Sequence, residues 1–148
     1  MNKKESPFTY KTPNEATGFL LWKTHNHWQR EIKKSLKEFD LTHTQFVVLA
    51  NTFWLSLSNE TLTQINIAKQ AETDVMMTSN VIRTLEKKGF LNRTEHKTDT
   101  RAKAISLTTL GEEVLKKAVK KVEDFDRKFF SNLEDSSKFN EELISLMG

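Results

Sequence analysis

Two sets of side chains carry the binding chemistry of this chain. Met76, Met77, Ser79, Asn80 and Arg83 share one face at helical spacing, and Arg93, His96, Lys97, Asp99, Arg101 and Lys103 crowd the stretch that follows. Cations attract phosphate, and an arginine on a projecting ribbon suits a narrow minor groove, whose negative potential draws guanidinium groups. Asp99 would be repelled by phosphate, so its expected task is to brace Arg101 through a planar, charge-assisted hydrogen bond. Taken alone, a charged hairpin is an ordinary solvated loop and adjacent methionines are ordinary core filler. The order of the elements around them favours binding instead.

Those elements lie between Leu62 and Leu107. A helix is predicted to begin at Thr61 or Thr63, whose hydroxyls can cap its first amides, with Leu62, Ile65 and Ala68 turned inward. Ala71-Glu72-Thr73 forms the turn, and Thr73 or Asp74 caps a second helix. That helix buries Val75, Thr78, Val81, Ile82 and Leu85, which leaves Met76, Met77, Ser79, Asn80 and Arg83 outward. The two methionines are adjacent and cannot both face one core. Gly89 ends the helix where a left-handed backbone is needed. Phe90-Leu91 opens a strand, and Lys103 to Leu107 returns as another with Ala104 and Ile105 suited to burial. The tip, Lys97-Thr98-Asp99-Thr100, holds turn formers but neither Gly nor Pro. Helix, tight turn, helix and basic hairpin in this order make a winged helix-turn-helix. In that fold the N-terminal part of the second helix meets base edges in the major groove of duplex DNA.

LTHTQFVVLA on the preceding helix, the LEKKGFLNR junction, Asp99-Thr100-Arg101 and ISLTTLGEEVL together resemble the MarR family of bacterial transcriptional regulators. The resemblance covers the chain from about Asn14 to its C-terminus. It implies a homodimer with one winged domain per subunit, a roughly palindromic double-stranded DNA operator, and repression relieved by a small-molecule effector or another signal. Carried over by position, Arg101 and Asp99 are the wing residues, with Met76, Met77, Ser79, Asn80 and Arg83 on the recognition helix and Arg93, Lys97 and Lys103 beside them. The chain departs from the family at Met76-Met77, where many members have small polar residues, and at Asn80, often an arginine. Methionine methyls against thymine and the Asn80 amide against adenine are the substitutes its chemistry offers.

The flanks fit a dimerisation frame. Residues 14–40 and 108–148 are assigned to dimerisation helices and residues 43–107 to the winged region, giving a mainly α fold with a small β-wing. A first helix from Asn14 to Phe39 carries Leu21, His25, Trp28, Ile32, Leu36 and Phe39 as one stripe, and a second carries Phe46, Leu49, Phe53, Trp54 and Leu57 before the connector Ser58-Asn59-Glu60. After the wing, Thr108 or Thr109 caps a long helix with Leu110, Val114, Ala118, Val122, Phe125 and Phe129 in line. The lysines at 116, 117, 120 and 121 read as its solvated face. A last helix near Ser137 to Met147 offers Phe139, Leu143, Ile144 and Met147. Apolar faces so open would be a liability in a monomer, so these helices are expected to interlock with a second copy. The segment from Met1 to Pro13 reads as an arm or a dimer-crossing strap.

In this family a ligand pocket lies between the dimerisation helices and the winged domain. Trp22, Trp28, Phe53 and Trp54, with His25 as a polar handle, are the side chains that could line it, with plain core packing as the alternative. Cysteine is absent, which removes thiol-based oxidant sensing and thiolate metal sites. His25 and His27 lie two apart on a helix and so point different ways; no metal or cofactor is expected. The chain offers no nucleophile with a base and no phosphate-binding glycine loop, so an enzyme is not expected. At 148 residues it has the length of one domain, with a net charge of +3. No apolar stretch could span a membrane and no signal region opens the chain, which implies a cytoplasmic protein. The alternative function is a protein-interaction module on the same fold that modulates another regulator without touching DNA.

Overall fold

The computed structural model describes residues 4–58, 61–99 and 101–148. Asn59, Glu60 and Thr100, named above in the connector and the wing signature, lie outside them. A short 3-10 turn at Pro13–Glu15 leads into α1 (Thr17–Leu36), and a second, Lys37–Phe39, ends it. Asp40 then takes a left-handed conformation (φ 53°) that turns the chain into α2 (His43–Ser56). The helix-turn-helix is α3 (Gln64–Ala71) and α4 (Val75–Lys87). The wing is β1 (Leu91–Glu95) and β2 (Lys103–Leu107); α5 (Thr109–Phe129) and α6 (Ser136–Met147) follow.

Local chemistry sets these boundaries. Thr42 and Thr63 each accept from the amide three residues on while Gln45 and Asn66 reach back to the cap amide, so α2 and α3 both begin in capping boxes. Thr63 rather than Thr61 starts α3. Gly89 adopts φ +80° at the end of α4, the left-handed position foreseen for it.

One core joins α1, α2, α5 and the winged segment: Ile32 and Leu36, Val48 and Leu49, Ile67, Ile82 and Leu85, Leu91, Ile105, Leu115, Ala118 and Val122 are all buried. Leu62 adds itself to the sheet, since the Ile105 amide donates to its carbonyl at 2.8 Å. In the sheet Leu91 lies opposite Leu107, Arg93 opposite Ile105 and Glu95 opposite Lys103.

Several expected inward positions are open. Ile65 is 61% exposed while Ile67 is fully buried, because with Thr63 as cap the inward line of α3 passes through Ile67 and Ala68. Val75, in the first turn of α4, faces solvent. The stripe on α1 splits: Ile32 and Leu36 are core, Trp28 and Phe39 pack at its margin, and Leu21 and His25 are exposed. On α2, Trp54 and Leu57 point away from the core. On α5 the line through Leu115, Ala118 and Val122 is buried, whereas Leu110 is exposed. No residue of α6 is buried.

Candidate nucleic-acid interface

The turn between α3 and α4 is held by a small hydroxyl network. Glu72 takes the left-handed conformation (φ 51°) and the Thr73 amide donates to the Ala68 carbonyl at 2.9 Å. Thr78, fully buried, donates from its hydroxyl to the Asp74 carbonyl at 2.7 Å and lies 2.7 Å from the Thr73 hydroxyl. Asp74 accepts from the Met77 amide at 2.9 Å and so caps α4. Thr78, Ile82 and Leu85 hold one face of α4 against the core. This fixes what the other face presents: Met76 is 77% exposed and Met77 43%, with Val75 beside them and Asn80 and Arg83 one and two turns further on. Ser79 is half-buried at the edge of that face.

The wing divides its cations. Arg93 is engaged: its Nε donates to Glu86 Oε2 at 2.8 Å and an Nη to Oε1 at 3.4 Å. This fork ties β1 to the last turn of α4, and the hydrogen bond from Arg93 holds the Glu86 carboxyl below its usual value. Lys103 pairs with Glu95 directly across the ribbon. Lys97 stands exposed at the tip. Arg101 is held by Asp99 at its backbone amide and at Nε. Asp99 Oδ1 accepts from both the Arg101 amide (3.0 Å) and its Nε (3.4 Å), while the side chain stays 91% exposed. The brace is thus a clasp by one carboxylate oxygen. The Asp99 and Thr98 amides both donate to His96 Nδ1, at 3.0 and 3.2 Å, so His96 shapes the tip from within.

Thr108 locks the wing to the helix behind it. Its hydroxyl donates to the Gly89 carbonyl at 2.6 Å and accepts from the Gly111 amide at 2.9 Å, and its amide donates to the Phe90 carbonyl. Gly111 packs so tightly on Phe90 that a Cβ there would overlap the Phe90 carbonyl oxygen. The end of α4, the root of the wing and the start of α5 are therefore joined directly by these contacts.

The architecture and the sequence point to one family. Its profile, MarR, matches residues 41–103. An HTH-type transcriptional regulator of Bacillus subtilis (strain 168), YdcH, is 45% identical over 119 residues, covering 80% of this chain and 81% of the relative. The chain belongs to the MarR family.

It is accordingly a DNA-binding transcriptional regulator and not an enzyme. The fold is shared with MepR of S. aureus, solved as a DNA complex (TM-score 0.80, 23% identity, 92% of this chain and 97% of that one). It is shared too with CouR of Rhodococcus jostii RHA1, solved with p-coumaroyl-CoA (TM-score 0.79, 21% identity, 93% of each chain). No described helix is long and apolar enough to cross a membrane.

The side chains named for a MarR-type ligand pocket are only partly gathered. Trp28 donates from its indole to Asp126 Oδ1 at 2.8 Å, stands edge-on to His43 (5.0 Å between centroids), and has His25 at 6.3 Å. Trp22 instead stacks on Phe19, exposed near the start of α1. Phe53 packs at the core margin and Trp54 is turned to solvent. His43 joins this cluster although it was not among the residues expected to line the pocket. It lies 3.0 Å from Gln29 in the first turn of α2; burial lowers its pKa, the Asp126 carboxylate opposes that, and His25 adds to it. Beside it opens a groove of about 740 Å³ lined by Arg30, Lys33, Lys34, Lys37 and His43, with Lys88 paired to Asp40 at 3.4 Å, and by none of the five residues expected of a pocket. Four of these cations follow Trp28 along α1 and its 3-10 end, whereas Lys88 comes from the end of α4 and closes the groove from a distant part of the chain.

Proposed function

We propose that the chain acts in the cytoplasm as a homodimeric repressor, docking two α4 helices about one DNA turn apart, roughly 34 Å, on a pseudo-palindromic operator. The exposed tip of α4 carries the reading: with Val75, Met76 and Met77 outermost and Asn80 next, it offers methyl contacts to thymine and an amide pair to adenine. Arg101 enters the flanking minor groove, with Lys97 and Lys103 near phosphate. Arg93, forked to Glu86, serves first to aim the wing, and Asp99 to hold Arg101.

The second copy covers the apolar residues that α1 and α6 leave open, Phe19, Leu21, Trp22, Ile144 and Met147 among them. Binding is relieved by a small molecule seated near Trp28 and His25. The cationic groove beside His43 suits an anionic portion of such a ligand, and CouR's complex with an acyl-CoA supports a ligand in this fold.

Binding to the duplex upstream of the chain's own gene, measured across a salt series, tests the reading. Tight, sequence-selective binding that falls steeply with salt is expected, since phosphate contacts release counterions. Absence of binding even at low salt would favour the interaction module instead.

A further inference from the structure

Four methionines and no cysteine make up the sulfur of this chain. Two of the four, Met76 and Met77, sit side by side in the first turn of α4 and both are exposed. Met147 is exposed in the last turn of α6, and Met1 lies outside the described residues. The buried core contains no sulfur among the described residues, and the residues that α4 buries in it are Thr78, Ile82 and Leu85. An oxidant can therefore reach the thioethers of the α4 tip without entering the core.

We infer that Met76 and Met77 form an oxidative modification site at which a peroxide lowers operator affinity while the fold stays intact; this rests on the reading of α4 proposed above. The thioether lone pair attacks one oxygen of hydrogen peroxide and the O–O bond breaks. The hydroxyl delivered to sulfur gives up its proton, and the departing hydroxide takes one up and leaves as water. Sulfur loses two electrons, the peroxide gains two, and the product is methionine sulfoxide. The consequence follows from where the sulfurs stand. An apolar, flexible side chain meeting a thymine methyl becomes a polar one carrying a strong acceptor oxygen, which has no donor on a methyl and is repelled by thymine O4. The Asp74 cap and the Thr73–Thr78 hydroxyl contact involve neither sulfur, so the helix-turn-helix keeps its geometry. The change is reversible, because reductases act on both sulfoxide epimers.

The test uses the full-length protein, hydrogen peroxide and the duplex upstream of its gene. Peptide mass analysis should place an added oxygen on Met76 and Met77. Affinity should fall by about tenfold or more, the loss expected when a base contact is broken, with an unchanged thermal midpoint. Treatment with methionine sulfoxide reductases should restore both mass and affinity. The double variant Met76→Leu, Met77→Leu should keep its affinity through the same treatment. Full sulfoxidation of both residues without loss of affinity would overturn the inference. So would an equal loss in the double variant, or a loss that reductases do not reverse although the masses return. Should the double variant bind no DNA, reductase rescue of the parent decides alone. Failure of the untreated parent to bind any duplex would instead bring down the proposed reading of α4, and the inference with it.

Discussion

The winged lobe and the terminal helices of this chain are finished to different degrees. In the lobe each element closes on another: α4 on α3 through Thr73 and Thr78, β1 on α4 through Arg93 and Glu86, β2 on the segment before α3 through Leu62. In the terminal helices the first half of α1 and all of α6 have no buried residue. The same rules of spacing and capping built both regions. What separates them is whether one chain supplies the opposing surface. In the reading proposed above, the lobe that presents α4 to a rigid duplex is closed by contacts within one chain, whereas α1 and α6 keep apolar residues that a second copy would cover.

The largest effect should come where the two regions meet. Gly111→Ala places a methyl against the Phe90 carbonyl oxygen, backbone that cannot step aside without moving the root of the wing. A loss of about 3 kcal/mol or more is expected, read by chemical denaturation; a near-neutral result would show that α5 and the lobe are not rigidly joined. Ile82→Ala, inside the lobe, should cost about 2–5 kcal/mol and leave self-association of the folded protein unchanged.

Ile144→Asp, on the open face of α6, should have the opposite pattern: sedimentation should show monomers, with near-native circular dichroism. A variant that stays dimeric would move the interface elsewhere. Arg101→Ala should weaken operator binding about ten- to a hundredfold, as for a lost base-groove contact of about 1–3 kcal/mol, with no change in stability or dimerisation. Equal affinity would remove the wing from the interface.

The smallest effect concerns pH. His43 has its pKa lowered by burial, so between its ordinary value of 6.5 and its depressed folded value the unfolded chain binds a proton that the folded chain does not. Stability should fall as pH drops through that window, and His43→Gln should flatten the fall. A parent whose stability holds constant across it would contradict the burial of the ring between Trp28 and Gln29.

Sequence reading went furthest where a rule is local. Thr63, Asp74 and Thr108, each one of two caps the sequence offered, cap their helices because a hydroxyl or carboxylate need only reach an amide three residues away. Gly89 was legible for the same reason, as were the outward placement of Met76, Met77, Asn80 and Arg83 and the bond that Arg101 donates to Asp99. Reading failed where one residue of register decided the outcome, as with Ile65 against Ile67. It was also silent where partners are distant in the chain. Nothing near Arg93 says that Glu86 will take its guanidinium, and nothing near Lys88 says that it will close a basic groove with α1.

By itself, then, the order of residues determined the element sequence, the caps, the left-handed glycine and the face that α4 turns outward, all properties of periodicity and short-range hydrogen bonding. Only the tertiary structure decided which cation stays free for a groove, which aromatic is core and which is surface, and which apolar faces remain open. Those outcomes depend on the surfaces that meet across the fold, and contacts between segments far apart in the chain leave no periodic trace in either one.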